Sequence, residues 1–309
     1  MGRIDTHHHV VPPPFADWLR AKGALAGGLP IPGWSPDAAL AVMERHGVDV
    51  SILSVSTPGV FLGDGVDARS MARDVNDFAA QVVRDHPDRF GFFATLTLPD
   101  VDGALAELDR AFDGLGADGV VLLANSGGSY LGDKAFDPVF DELQRRQAVV
   151  FVHPSILPGL EPIEGIPAFV ADFLLDTTRA AVNLARTGTL DRCPDVRFVL
   201  SHAGGFVPYA ASRLATAAGD GDFLTGLTRL RRYHFDIALS GTPSALPSLL
   251  AFTTPDKVTF GTDFPYAPDT AVAAMTSMYE AYDLDEAARH QIDRGTAETL
   301  FPRFARSAA

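Results

Sequence analysis

Short, apolar, β-branched runs recur along this chain, and each is followed by a stretch with helical periodicity. Eight are found, at Arg3–His9, 49–56, 90–96, 118–123, 148–153, 196–202, 233–239 and 257–262. Parallel neighbours need a long crossover, usually a helix, so regular strand–helix alternation predicts a parallel sheet. Val120-Val121-Leu122-Leu123 and Val149-Val150-Phe151-Val152 are apolar without alternation, as strands buried on both faces require. Eight such units in 309 residues fit a (β/α)8 TIM barrel, a fold of about 250 residues or more. A doubly wound open sheet is the other arrangement the pattern allows. The expectation is a single barrel domain over residues 1–309, with small irregular insertions at 27–33 and 154–167.

Helix signals support the alternation. Ser35-Pro36-Asp37 supplies an N-cap, a proline at the first helical position and an acidic first turn. Further helices are expected over 68–86, 101–115, 137–147, a long stretch ending near Thr187-Gly188, 206–217, 271–282 and 285–300.

Several function classes are disfavoured at once. A formal net charge of -14 is the wrong sign for a nucleic-acid partner, whose phosphates demand a basic face. An anionic substrate would need local positive charge to hold it against that field. No apolar run approaches the roughly 18 residues of a membrane span, and the N-terminus lacks the layout of a secretory signal. Cys193 is the single cysteine, so no intrachain disulfide forms and a reducing, cytoplasmic setting is expected.

In a barrel of this kind the chemistry sits where the strands end. The first strand ends in His7-His8-His9. Side chains alternate along a strand, so His7 and His9 share a face and His8 takes the other. The fifth ends at His153, the sixth at His202, and the eighth runs into Asp263. Any one of these, taken alone, reads as an ordinary packed or capping residue. Four imidazoles and a carboxylate converging from distant strands read as a metal site. The expected ligands are His7, His9, His153 and Asp263, a set suited to a borderline divalent ion such as zinc. His202 remains as the acid/base, since imidazole titrates near neutrality.

Weaker candidates surround this set. Asn125, Tyr130 and Tyr266 fall in rim loops within reach of a substrate. Phe15 and Trp18 follow the histidine run closely and are candidates for walling an aromatic substrate, or simply for packing. Asp236 in Phe-Asp-Ile reads as a support behind a ligand or a packing residue. Gly204-Gly205 permits close backbone approach at a helix start, with a phosphate cradle as the weaker alternative.

Asp5-Thr6-His7-His8-His9, Val152-His153-Pro154, Ser201-His202-Ala203-Gly204-Gly205 and Gly261-Thr262-Asp263-Phe264-Pro265 resemble the amidohydrolase superfamily, in this order and over nearly the whole chain. More narrowly they resemble its branch around aminocarboxymuconate-semialdehyde decarboxylase, and most of all the 6-methylsalicylate decarboxylase type. The resemblance implies a metal-dependent barrel in which His7, His9, His153 and Asp263 bind the ion and His202 acts on the substrate. Some relatives carry Glu in place of the first histidine; His7 here leans towards zinc, with manganese possible. Binuclear members carry a carboxylated lysine ending strand four. This chain has Leu123-Ala124-Asn125 there, with Lys134 the nearest lysine, so one divalent metal ion is expected. An arginine eleven residues after the strand-six histidine reaches a neighbouring subunit's site in that branch and holds a carboxylate. Arg213 matches the offset, which implies a homodimer or higher homo-oligomer; the plain alternative is an arginine on a solvated helix face.

Two activities use such a site. One is non-oxidative decarboxylation of a salicylate-like aromatic or an unsaturated carboxylic acid, with His202 and Asp263 as catalytic residues and Arg213, Asn125, Phe15 and Tyr266 contacting substrate. The other is hydrolysis of a lactone, ester or amide by activated water. A non-enzymatic metal binder is a third reading, but it leaves His202 without a purpose.

Overall fold

The computed structural model describes residues 2–306. Eight parallel strands make one continuous sheet: β1 (Arg3–His9), β2 (Val48–Ser54), β3 (Phe90–Thr95), β4 (Gly119–Leu123), β5 (Val149–His153), β6 (Arg197–Leu200), β7 (His234–Asp236) and β8 (Val258–Thr259), paired in chain order. Bridges from Asp5 to Phe260 and from His8 to Phe264 join the last strand to the first. The sheet therefore closes, and the chain is a (β/α)8 barrel rather than an open sheet.

The outer layer includes α1 (Pro13–Ala21), α2 (Pro36–Arg45), α3 (Gly65–Asp85), α4 (Val101–Asp109), α5 (Asp137–Arg145), α6 (Asp172–Arg186), α7 (Val207–Ala218), α8 (Phe223–Leu230), α9 (Leu246–Phe252) and α10 (Asp269–Ala281). The Ser35 hydroxyl accepts from the Ala38 amide at 3.2 Å, the capping bond its position predicts. The expected helix over 101–115 widens into a π-type turn at Arg110–Leu115. The expected helix over 285–300 is likewise interrupted, at Gln291–Gly295.

The two-residue period of the strands sorts the side chains into two cores. Ile4, Val50, Ile52, Phe93, Val121, Val149, Phe151 and Val199 fill the barrel, which the C-terminal segment closes with Leu300, Phe301 and Phe304. Val150 and Val152 face outward into the larger core under the helices. On β5 the inward series Val149, Phe151 continues to His153, so the same alternation that packs the lower barrel lifts this imidazole to the rim. The Phe151 ring lies 4.9 Å from that of His7. The site thus rests on an apolar floor.

Three strands are shorter than the apolar runs predict. β6 stops at Leu200, β7 at Asp236 and β8 at Thr259. Just beyond these ends, His202 (φ 53), Leu239 (φ 51) and Asp263 (φ 62) take left-handed backbone conformations. That conformation ends a strand and turns the side chain across the barrel mouth. His202 therefore lies in a tight turn (His202–Gly204) rather than on the strand.

Candidate metal centre and active site

Four donor atoms from three strand ends converge. One ligand atom each from His7, His9, His153 and Asp263 lies within 4.8 Å of all the others. His7 Nε2 is 3.1 Å from His9 Nε2, and Asp263 Oδ1 is 3.3 Å from the first and 3.1 Å from the second. Ligands held about 2.0 Å from one ion at tetrahedral angles sit about 3.3 Å apart, so these spacings suit a single small cation.

The outward nitrogens explain why the inward ones are available. His7 Nδ1 meets the Asp236 carboxylate at 2.9 Å. His9 Nδ1 lies 3.2 Å from the Ser54 carbonyl and 3.0 Å from its hydroxyl. His153 Nδ1 faces the Pro154 carbonyl at 2.9 Å. An Nδ1–H donated outward leaves a lone pair on Nε2, aimed inward. Two such lone pairs facing each other at 3.1 Å repel unless a proton or a cation lies between them.

Electrostatics agree with that need. Burial opposes charging His7, but the Asp236 and Asp263 carboxylates outweigh it and raise its pKa to about 10. Burial pushes His9 down and His153 further down, leaving both as neutral donors. Burial also opposes the Asp263 carboxylate, yet His7, His202 and His9 hold it well below the usual carboxylate range. A pocket that keeps one carboxylate ionised against three imidazoles has the donor set of a borderline divalent ion.

Asp236 does more than orient His7. Its Oδ1 also accepts the amides of His202 at 3.0 Å and Ala238 at 2.9 Å. One buried carboxylate thereby fixes a ligand candidate and the turn bearing His202. Asp5 plays the matching part across the β1–β8 seam. It accepts the amides of His7 and Thr262 and the Thr262 hydroxyl, and it faces His8 Nδ1. His8 points away from the cation site, as alternation predicts, and packs on Phe264. The backbone carbonyl of Pro154 and the Ser54 pair were not legible as partners, because nothing in the residue types marks a carbonyl for this use.

A cavity of about 450 Å³ opens over the rim, lined among others by Ser56, Thr57, His153, His202, Asp263 and Tyr266. His202 Nε2 is 3.6 Å from Asp263 Oδ2, and its Nδ1 is buried with no hydrogen-bond partner among the described residues. Tyr266 packs edge-on against His9. Its hydroxyl has no hydrogen-bond partner among the described residues, and burial together with the Asp263 charge raises its pKa.

The remaining candidates fall elsewhere. Phe15 is fully buried and stacks on Trp18 under the barrel helices; it is a core residue and does not line the cavity. Asn125 is buried in a separate, smaller cavity and donates to the Ile156 carbonyl at 3.0 Å and to the Asp176 carboxylate. Its amide braces the loop after His153. Tyr130 pairs with that region through Arg179. Lys134 is exposed and lies outside the cavity lining. Arg213 is exposed on α7 and makes no ion pair among the described residues. A Cβ on Gly205 would meet the Leu174 carbonyl at 2.1 Å, the close approach expected of Gly204-Gly205.

A family model described as amidohydrolase matches residues 4–303, and the chain belongs to that family. Its relatives include decarboxylases. It is 37% identical over 314 residues to 6-methylsalicylic acid decarboxylase of Penicillium expansum, covering 98% of this chain and 97% of that one. It is 36% identical over 326 residues to decarboxylase macB of Penicillium terrestre, covering 98% and 96%. A solved amidohydrolase II structure superposes with a TM-score of 0.93 at 28% identity, covering 97% of this chain and 100% of that chain.

Proposed function

We propose that this protein is a metal-dependent, non-oxidative decarboxylase of a salicylate-like aromatic acid. The observation that carries the reading is the convergence of His7, His9, His153 and Asp263 beneath a cavity that His202 also lines, in a chain similar over nearly its full length to decarboxylases. His7, His9, His153 and Asp263 hold one divalent ion. Three imidazoles and one carboxylate favour zinc, with manganese the alternative. When bound, the ion supplies positive charge to the substrate carboxylate and an adjacent hydroxyl.

The chain's own groups handle the proton. His202 Nε2 delivers one to the ring carbon that bears the carboxylate, while the ionised Asp263 Oδ2, 3.6 Å away, favours the protonated imidazole. The bond to that carboxylate then breaks, its electron pair returns to the ring, and CO2 leaves. The aromatic product keeps the delivered proton, which solvent replaces. Asp236 holds His7 and the His202 turn in register throughout. Tyr266 stands beside the substrate.

Arg213 lies outside this chain's cavity, so it serves a site only in a dimer or larger assembly, clamping a substrate carboxylate as bidentate guanidinium groups do. We place the protein in the cytoplasm on its single cysteine, which is buried. Among the described residues no helix is long and apolar enough to cross a membrane.

The test is a panel of hydroxybenzoic acids, lactones and esters offered to zinc- and manganese-loaded protein. CO2 release from a hydroxybenzoate, abolished by chelation and restored by the ion, is the expected result. Acid release from a lactone or ester without CO2 would assign a hydrolase instead.

A further inference from the structure

The cavity over the rim is polar at its floor and apolar towards its mouth. Ser56, Thr57, His153, His202 and Asp263 are buried at the strand ends. Further out it is walled by Leu29, Phe169, Val170, Leu174 and Pro268, of which Phe169 and Val170 are 38% and 52% exposed. No lysine, arginine or further carboxylate lines this outer part among the described residues. A volume of about 450 Å³ falls in the range, roughly 300–1,000 Å³, that encloses ligands of drug size. A single-ring acid seated on the floor leaves the outer part unfilled. Apolar walls of this kind reward apolar substituents and disfavour a second charge.

Resting on the decarboxylase reading, we propose that the substrate carries an extended apolar substituent, an alkyl tail or a second ring, which runs from the metal-binding floor up between Leu29, Phe169 and Val170. Those three side chains set the preference for tail length. They come from two insertions, at 27–33 and in the loop after β5, which the strand-end chemistry does not need.

The experiment measures binding by calorimetry and CO2 release in parallel, with the zinc-loaded full chain and the series salicylate, 6-methylsalicylate, 6-pentylsalicylate and 4-carboxysalicylate. Affinity is expected to rise along the alkyl series by about fourfold per buried methylene, and 4-carboxysalicylate should bind more weakly than salicylate. In Val170→Ser the ratio between the pentyl and unsubstituted acids should fall. A flat alkyl series, or tighter binding of the dicarboxylate, overturns the tail subsite even if CO2 is released. A rising series without CO2 from any member leaves the subsite standing and removes the decarboxylase reading. No binding of any member removes both.

Discussion

Two regions face each other across the cavity and are held in opposite ways. The rim at the β1–β8 seam is fixed by buried hydrogen bonds. The Asp263 amide donates to the His7 carbonyl at 2.8 Å, the His9 amide to the Phe264 carbonyl at 2.7 Å, and Asp5 and Asp236 are fully buried acceptors behind them. Residues 154–171 are hydrogen-bonded to the rest of the described chain near their two ends. Asp176 accepts the Ser155 amide at 2.8 Å at one end, and the Phe169 amide reaches the Gly27 carbonyl at 3.3 Å at the other. Between these anchors Leu160, Ile163 and Ile166 stand exposed. The groups proposed to react are therefore on the part of the molecule that cannot shift without breaking several buried bonds. The proposed reading of substrate shape falls to the part that can vary at little cost.

The sharpest way to break this contrast is to remove members of the rim one at a time. His153→Ala deletes a proposed ligand, so bound cation should fall well below one per chain and CO2 release should fall below detection. His202→Ala deletes only the proposed proton carrier. Activity should drop by about 10²–10⁴-fold while metal content by elemental analysis stays near that of the unaltered protein. Equal loss of metal in both would place His202 among the ligands and refute the division of roles.

How far the residues alone reveal this architecture depends on what they encode. β1 begins and ends where its pattern predicts, and the Ser35 cap forms, because alternation and capping are local. That His7, His9, His153, His202 and Asp263 come together is legible because the barrel topology carries each strand end to one rim. The ends of β6, β7 and β8 are not, since a left-handed φ at His202, Leu239 or Asp263 leaves no trace in hydrophobicity. Phe15 illustrates the converse failure. Closeness in sequence to His9 suggests a cavity wall, but α1 turns its apolar face into the helix layer, where burying a phenyl ring is favourable by about 1.5–3 kcal/mol. The true walls at Leu29, Phe169 and Val170 lie in irregular segments that offer no periodicity to read.

Support behind the rim should matter less than the rim itself. Asp236→Asn keeps the shape but removes the charge that favours the outward Nδ1–H of His7. Loss of such a partner lowers metal affinity by about 10–100-fold. Competition with a chromophoric chelator reads this directly, and kcat measured at saturating metal should recover more than the affinity does. If affinity is unchanged, His7 is oriented by packing against Phe151 rather than by the carboxylate.

The smallest effect belongs to the loop. Ile163 is 72% exposed and does not line the cavity. Exposed substitutions away from caps, cores and ion pairs change stability by about 0.5 kcal/mol or less. Ile163→Ser should therefore leave both the melting temperature and CO2 release near those of the unaltered chain. That holds only if the loop's apolar side chains face water in solution. A clear fall in melting temperature that depends on protein concentration would show that Ile163 is covered by another copy. The loop would then be an interface element as well as a wall.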